Sequence, residues 1–217
     1  FIVLEDADID KAVKTAIVAR MLNCGQSCIA AKRFILVESI YDEFVSKFTD
    51  AVSKLKSGDT LDETTQVGQL ARKDLADQLN NQVKESIKQG AELLLGGNQL
   101  DCYHEPTVLG NVKPGMAAFD EETFGPLAAM IKAKDIDQAF ELSEQSRLGL
   151  GVTICTKDTK KALEYVDNVS DGAYFINELV KSDPRLPFGG TKKSGYGREL
   201  AKDGMMEFVN RKTIYIK

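Results

Sequence analysis

The chain opens on four consecutive apolar residues, Phe1-Ile2-Val3-Leu4, the pattern of a strand buried on both faces. Glu5, Asp6 and Asp8 follow as a carboxylate cluster suited to a helix N-terminus. Ile9, Val13, Ala16, Ile17 and Met21 then recur at helical spacing and predict a helix ending near Asn23-Cys24-Gly25. The stretch 33–38 (RFILVE) reads as a strand. Ser39 followed by Asp42 approximates a capping box, and Tyr41, Phe44, Phe48, Val52 and Leu55 mark the buried face of the helix it would open. A polar stretch over 59–69 reads as a surface loop. Leu75, Leu79, Val83 and Ile87, spaced by four, predict a helix stopped by Gly90.

The second half continues the alternation. Strands are predicted over 92–95, 106–112, 127–131, 151–156 and 173–176, with helices over 135–145 and 159–169. A helix over 200–209 and a terminal strand over 213–217 close the chain. Strands alternating with helices argue an α/β fold with a largely parallel sheet covered by helices on both faces. The β-prone terminal segment is expected to pair with a sheet edge, in this chain or in a neighbouring subunit.

Composition narrows the function. The chain has 217 residues, with 28 Lys plus Arg against 33 Asp plus Glu, a net charge of −5. This acidic balance, without a basic patch, argues against nucleic acid as a partner. No apolar run approaches ~18 residues, so no membrane span is predicted, and no stretch reads as a signal peptide. Four cysteines (Cys24, Cys28, Cys102, Cys155) in a chain of this length need no disulfides, which favours a reducing cytoplasm. With His104 as the single histidine and no Cys-x-x-Cys pair, a structural metal site is not expected. The first residue is Phe1 and begins inside a strand pattern, so the chain reads as a fragment or a processed product.

The sharpest local feature is the segment 23–31 (NCGQSCIAA), between a strong helix and a strong strand. A cysteine in such a loop is a nucleophile where backbone dipoles or a base stabilise its thiolate; otherwise it is a small buried hydrophobe. Both readings of Cys28 stand on the loop alone. The pairs Gly149-x-Gly151 and Gly195-x-Gly197 lack the third glycine of a dinucleotide fingerprint and are not phosphate cradles.

The run 22–33 (LNCGQSCIAAKR) resembles the active-site segment of the aldehyde dehydrogenase superfamily. Three further segments resemble that family in the same order: 106–109 (PTVL), 121–126 (EETFGP) and 187–199 (PFGGTKKSGYGRE). The resemblance covers essentially the whole chain and implies the family's α/β catalytic fold over 1–197, with a C-terminal helix and oligomerisation strand over 198–217. It implies Cys28 as nucleophile, forming a thiohemiacetal and then a thioester. Hydride would pass to NAD or NADP, held mainly by a domain outside these residues. Glu122 would accept hydrogen bonds from the nicotinamide ribose, Phe124 would pack near the nicotinamide, and Phe188 would line the aldehyde funnel. A homodimer or homotetramer would form through the terminal strand. The family's water-activating Glu lies in a Glu-Leu-Gly-Gly segment that does not occur among these residues, so little turnover is expected of this chain alone.

The segment 178–187 (ELVKSDPRLP) resembles bacterial succinate-semialdehyde dehydrogenases. A carboxylate-bearing aldehyde needs a cation at the funnel, for which Lys181 and Arg185 are the candidates, unless both are solvated loop charges. Some of those enzymes carry Arg six residues before the nucleophile; Leu22 stands there, so a general aliphatic aldehyde also fits. Cys24, four residues before Cys28, is either a spectator or a disulfide partner on oxidation. Two rival classes remain. A cysteine hydrolase would pair Cys28 with His104 as base, and a non-catalytic assembly module would rest on the terminal strand.

Overall fold

The structure, a computed structural model, describes residues 1–217. Its strands are β1 (Ile2–Val3), β2 (Arg33–Val37), β3 (Glu92–Leu95), β4 (Gln99–Leu100), β5 (Tyr103–His104), β6 (Thr107–Gly110), β7 (Leu127–Ala133), β8 (Leu148–Gly149), β9 (Val152–Cys155), β10 (Tyr174–Ile176) and β11 (Thr191–Lys192). Its α-helices are α1 (Ile9–Met21), α2 (Glu38–Ser53), α3 (Lys73–Lys88), α4 (Ala117–Asp120), α5 (Ile136–Glu144), α6 (Thr159–Val166) and α7 (Ala201–Met206). None is long and apolar enough to cross a membrane.

Seven strands pair in the order β10-β9-β1-β2-β7-β6-β3, all parallel except the edge pair β3–β6. The near-continuous apolar runs of β1, β2 and β7 are those of strands covered on both sides, and nearly all of their residues are buried. Alternation along β2 shows the two layers. Phe34 packs its ring at a tilt against Phe1 and against Phe48 of α2, while its neighbour Arg33, pointing to the opposite face, donates to the Leu142 and Ser143 carbonyls of α5. The predicted α/β class, with helices on both faces of a largely parallel sheet, is therefore what the chain adopts.

Helix α2 buries Tyr41, Phe44, Phe48 and Val52, as the spacing predicts. It starts one residue earlier than its supposed cap: Val37 is the N-cap, Ser39 lies inside the first turn, and no side chain caps the helix. The chain passes directly from strand to helix there and leaves no room for a capping box. In α3 the buried face includes Leu79 and Val83 together with Gln82 and Ser86, while Ile87 turns outward. The face is rotated because Gln82 and Ser86 have buried backbone partners: Gln82 Nε2 donates to the Glu122 carbonyl at 3.1 Å, and Ser86 Oγ accepts from Ala118 N–H at 2.9 Å.

Residues 213–217 form no strand in this chain. Ile214, Tyr215 and Ile216 are exposed, and the segment pairs with neither edge of the sheet. β-propensity alone does not make a strand without an edge to complete. The two-residue strands of the β4–β5 and β8–β11 pairs are too short to carry a period and were not expected.

Asp6 joins the turn after β1 to the turn after β9. Its carboxylate accepts from Thr156 Oγ1 at 2.7 Å and from the N–H groups of Lys157 and Asp158, each at 2.8 Å. Partial burial pushes the Asp6 carboxyl upward, but these hydrogen bonds outweigh it and hold its pKa below the ordinary carboxylate value. A depressed folded-state pKa contributes stability above the unfolded value, lost as pH falls through the folded one. Asp6→Asn should therefore cost about 1–3 kcal/mol at neutral pH, with the deficit shrinking below pH ~4, as read by denaturant unfolding of both proteins across pH. A deficit independent of pH would contradict this assignment.

Candidate active site

The loop that carries Cys28 is shaped by three successive residues in the left-handed region: Asn23 (φ 52°), Cys24 (φ 56°) and Gly25 (φ 73°). They turn the chain sharply out of α1. Only Gly fits at 25, since a Cβ there would stand 2.3 Å from the Gly125 carbonyl oxygen. Cross-ties fix the loop. Asn23 Nδ2 donates to the Gln26 carbonyl at 3.0 Å, Gln26 Oε1 accepts from Ala71 N–H at 2.8 Å, and Ala31 N–H donates to the Ala19 carbonyl at 2.9 Å.

These constraints leave Cys28 exposed, while Cys24 is buried with its sulfur accepting from Gly68 N–H at 3.1 Å. Both are free thiols, and Cys24 lines neither cavity that Cys28 lines, so the structure supports the spectator reading of Cys24. The Cys28 backbone N–H makes no hydrogen bond within the chain.

Cys28, with Leu150 and Ser194, stands on the walls of two cavities. One, of about 320 Å³, is also lined by Glu122, Thr123, Phe124 and Lys32. The other, of about 820 Å³, is lined by Phe188, Pro184, Arg198 and Phe208. The structure thus places Cys28, Glu122, Phe124 and Phe188, from three separate stretches of sequence, on the walls of two cavities that share Cys28. The Glu122 carboxylate has no hydrogen bond or ion pair inside the chain, whereas its main-chain carbonyl is held by Gln82. Beside it, burial and then the neighbouring Arg33 charge push the Lys32 ammonium down to about 7 while its Nζ donates to the Phe119 carbonyl at 2.7 Å.

Lys181 and Arg185 are not brought to either cavity. Lys181 pairs with Glu178 at 2.9 Å, and Arg185 clasps Asp183 through Nε at 2.9 Å and Nη2 at 2.6 Å. Each cation is drawn to a carboxylate two or three residues away, the arrangement of the loop-charge alternative and not that of a funnel cation. The cation lining the Phe188 cavity is Arg198, whose Nη1 donates to the Gly190 and Gly197 carbonyls at 3.0 and 2.7 Å. His104 is 1% exposed and lines neither cavity; its Nδ1 donates to the Glu105 carbonyl at 2.9 Å. The Cys–His pair of a hydrolase is not formed.

Two buried residues do not stand out in the sequence: Arg20, which binds the carbonyls on both sides of Phe124, and Gln82, which binds the Glu122 carbonyl. The available signal was a polar residue at helical spacing on an apolar face: Arg20 after Val13 and Ala16, and Gln82 beside Leu79 and Val83.

The model of the aldehyde dehydrogenase family matches residues 1–214. The chain belongs to the aldehyde dehydrogenase family. Among members of this family, a succinate semialdehyde dehydrogenase [NAD(P)+], Sad, of Escherichia coli (strain K12) is 48% identical over 99% of the chain. A succinate-semialdehyde dehydrogenase [NADP(+)] of Mycobacterium avium (strain 104) is 46% identical over all of it. The chain covers 47% and 46% of these two proteins, so it spans about half the length of the curated relatives it matches. The crystal structure of succinic semialdehyde dehydrogenase from Streptococcus pyogenes in complex with NADP+ superposes with a TM-score of 0.95 at 35% identity, over the whole of this chain and 48% of that one. This aldehyde dehydrogenase domain thus has the fold of its solved relatives throughout.

Exposure sets an order of thiol reactivity. Burial pushes the Cys155 thiol up to about 12, and Cys24 is sealed under Gly68. Iodoacetamide at neutral pH should therefore label Cys28 first, the half-buried Cys102 next, and Cys24 and Cys155 only on unfolding, as followed by peptide mass spectrometry. Early labelling of Cys24 would contradict the loop geometry.

Proposed function

We propose that the full-length protein is an NAD(P)-dependent dehydrogenase that oxidises succinic semialdehyde, or a similar small aldehyde, to the carboxylic acid. This chain contributes its nucleophile. The observation that carries the reading is the position of Cys28 on the shared wall of the Glu122–Phe124 and Phe188 cavities. The identity of the aldehyde rests on the relatives' activities.

Cys28 Sγ, once deprotonated, adds to the aldehyde carbon, and the carbonyl electron pair moves to oxygen. The Cys28 N–H, without a partner in the chain, is a donor for that oxyanion, a stabilisation of roughly 3 kcal/mol. The residues fit a nicotinamide cofactor: the unpaired Glu122 carboxylate suits a pair of ribose hydroxyls, and the partly exposed Phe124 ring suits a flat heterocycle. When bound, such a cofactor supplies the hydride acceptor. Loss of hydride from the thiohemiacetal carbon leaves a thioester on Cys28; water then attacks its carbonyl carbon, the C–S bond breaks, and the acid departs. Phe188 forms the apolar wall against which the aldehyde lies.

The exposed apolar run Ile214-Tyr215-Ile216 supports pairing with a second copy through a strand at 213–217, giving a homodimer or homotetramer. Four free thiols suit a reducing cytoplasm.

In the full-length enzyme, Cys28→Ser should reduce NAD(P)H production at 340 nm by on the order of a thousandfold or more. Glu122→Gln should raise the KM for the nicotinamide cofactor by roughly tenfold. Arg185→Ala should leave kcat/KM for succinic semialdehyde within about twofold, because Asp183 already occupies that guanidinium. The 217-residue chain alone should show little turnover. Undiminished activity in Cys28→Ser would end this reading.

A further inference from the structure

Arg20 is fully buried, 1% exposed, in the last turn of α1, and no carboxylate forms an ion pair with it. Burying a cation is costly unless its donors are met; here main-chain carbonyls meet Nη1 and Nη2, while Nε has no partner. Nη1 donates to Ala31 O at 3.0 Å. Nη2 lies 2.8 Å from Gly25 O, 3.1 Å from Thr123 O and 2.6 Å from Gly125 O. The first and second of these carbonyls, at Ala31 and Gly25, stand three residues to either side of Cys28. The other two, at Thr123 and Gly125, flank Phe124, and Thr123 adjoins Glu122.

One planar guanidinium therefore grips both walls of the smaller cavity. The two walls also meet directly beneath it. A Cβ on Gly25 would lie 2.3 Å from the Gly125 oxygen and 2.5 Å from Arg20 Nη2, so the segments touch with the guanidinium wedged against both. A planar fork with several fixed donor directions can hold carbonyls from two segments at once; the single ammonium of Lys cannot reproduce that geometry.

We infer that Arg20 is a positioning residue that sets the separation between the Cys28 loop and the Glu122–Phe124 segment. It thereby sets the distance over which hydride leaves the Cys28 adduct. The inference rests on the reading of Cys28 as nucleophile and of Glu122 and Phe124 as the cofactor wall. The aldehyde side is independent of it. Phe188 is fixed by its own backbone pair with Glu199, with N–H to O distances of 2.8 and 2.7 Å, and Arg20 does not touch that segment.

This independence gives the test. Arg20→Lys and Arg20→Gln are prepared in the full-length enzyme, with Cys28→Ser in parallel, and folding is checked by circular dichroism and thermal unfolding. In a folded Arg20 variant, kcat should fall by roughly tenfold to a hundredfold and the KM for NAD(P) should rise by roughly tenfold. The KM for the aldehyde should stay within about twofold. Folded variants with a lowered Tm but wild-type kcat and cofactor KM would overturn the inference, and so would equal rises in both KM values. Failure of both variants to fold also counts against it, because Arg20 would then hold the fold and not the distance. If Cys28→Ser is inactive while the Arg20 variants are unimpaired, only this inference falls. If Cys28→Ser stays active, the nucleophile reading falls with it.

Discussion

Parallel pairing of β1 with β2 and β9, and of β2 with β7, brings the amino ends of four strands to one edge of the sheet. The segments entering those strands are Phe1, the 22–32 loop, 122–126 and 148–151, and all four contribute to the walls of the smaller cavity. Ligands in open α/β sheets are usually met at the carboxyl ends of the strands. Here the chemistry-bearing residues collect at the opposite edge, because the irregular segments long enough to carry side chains into a cleft precede the strands.

Irregular backbone packed inside a protein needs partners for its carbonyls and N–H groups, since no ladder supplies them. Side chains do this work around Cys28. Arg20 and Gln82 bind carbonyls at 25, 31, 122, 123 and 125; Lys32 binds Phe119; Arg33 binds the end of α5 and lies over the Phe119 ring at 4.8 Å. The cavity is consequently a set of loops braced by long polar side chains reaching inward from helices and strands. Such bracing holds the cysteine loop in its left-handed turn while leaving the Cys28 sulfur and N–H unengaged.

The sheet and most helices were legible because apolar periodicity reports burial, and burial is what α2, β2 and β7 do. The Cys28 loop, Glu122, Phe124 and Phe188 were legible as motifs, and the fold explains why residues so far apart in sequence belong together. Arg20 and Gln82 were hidden by the same rule that revealed their helices: a polar residue on an apolar face reads as noise in the period until its buried partner is known. Lys181 and Arg185 carried two readings in the sequence, funnel cation or solvated loop charge, because charge is visible there and the pairing with Glu178 and Asp183 is a matter of local geometry. Residues 213–217 are not a strand within this chain because a strand is a property of a pair, and propensity says nothing about whether the partner edge lies in this chain or a neighbouring one.

The central claim is a covalent bond between Cys28 Sγ and the carbon of the aldehyde carbonyl. Its most direct test is rapid acid quench of the full-length enzyme during turnover with succinic semialdehyde and NAD(P)+, followed by peptide mass spectrometry. The account predicts one succinyl thioester, on the peptide that contains Cys28. Turnover that proceeds with the acyl group on another residue, or with none detectable while Cys28 stays free, would contradict it.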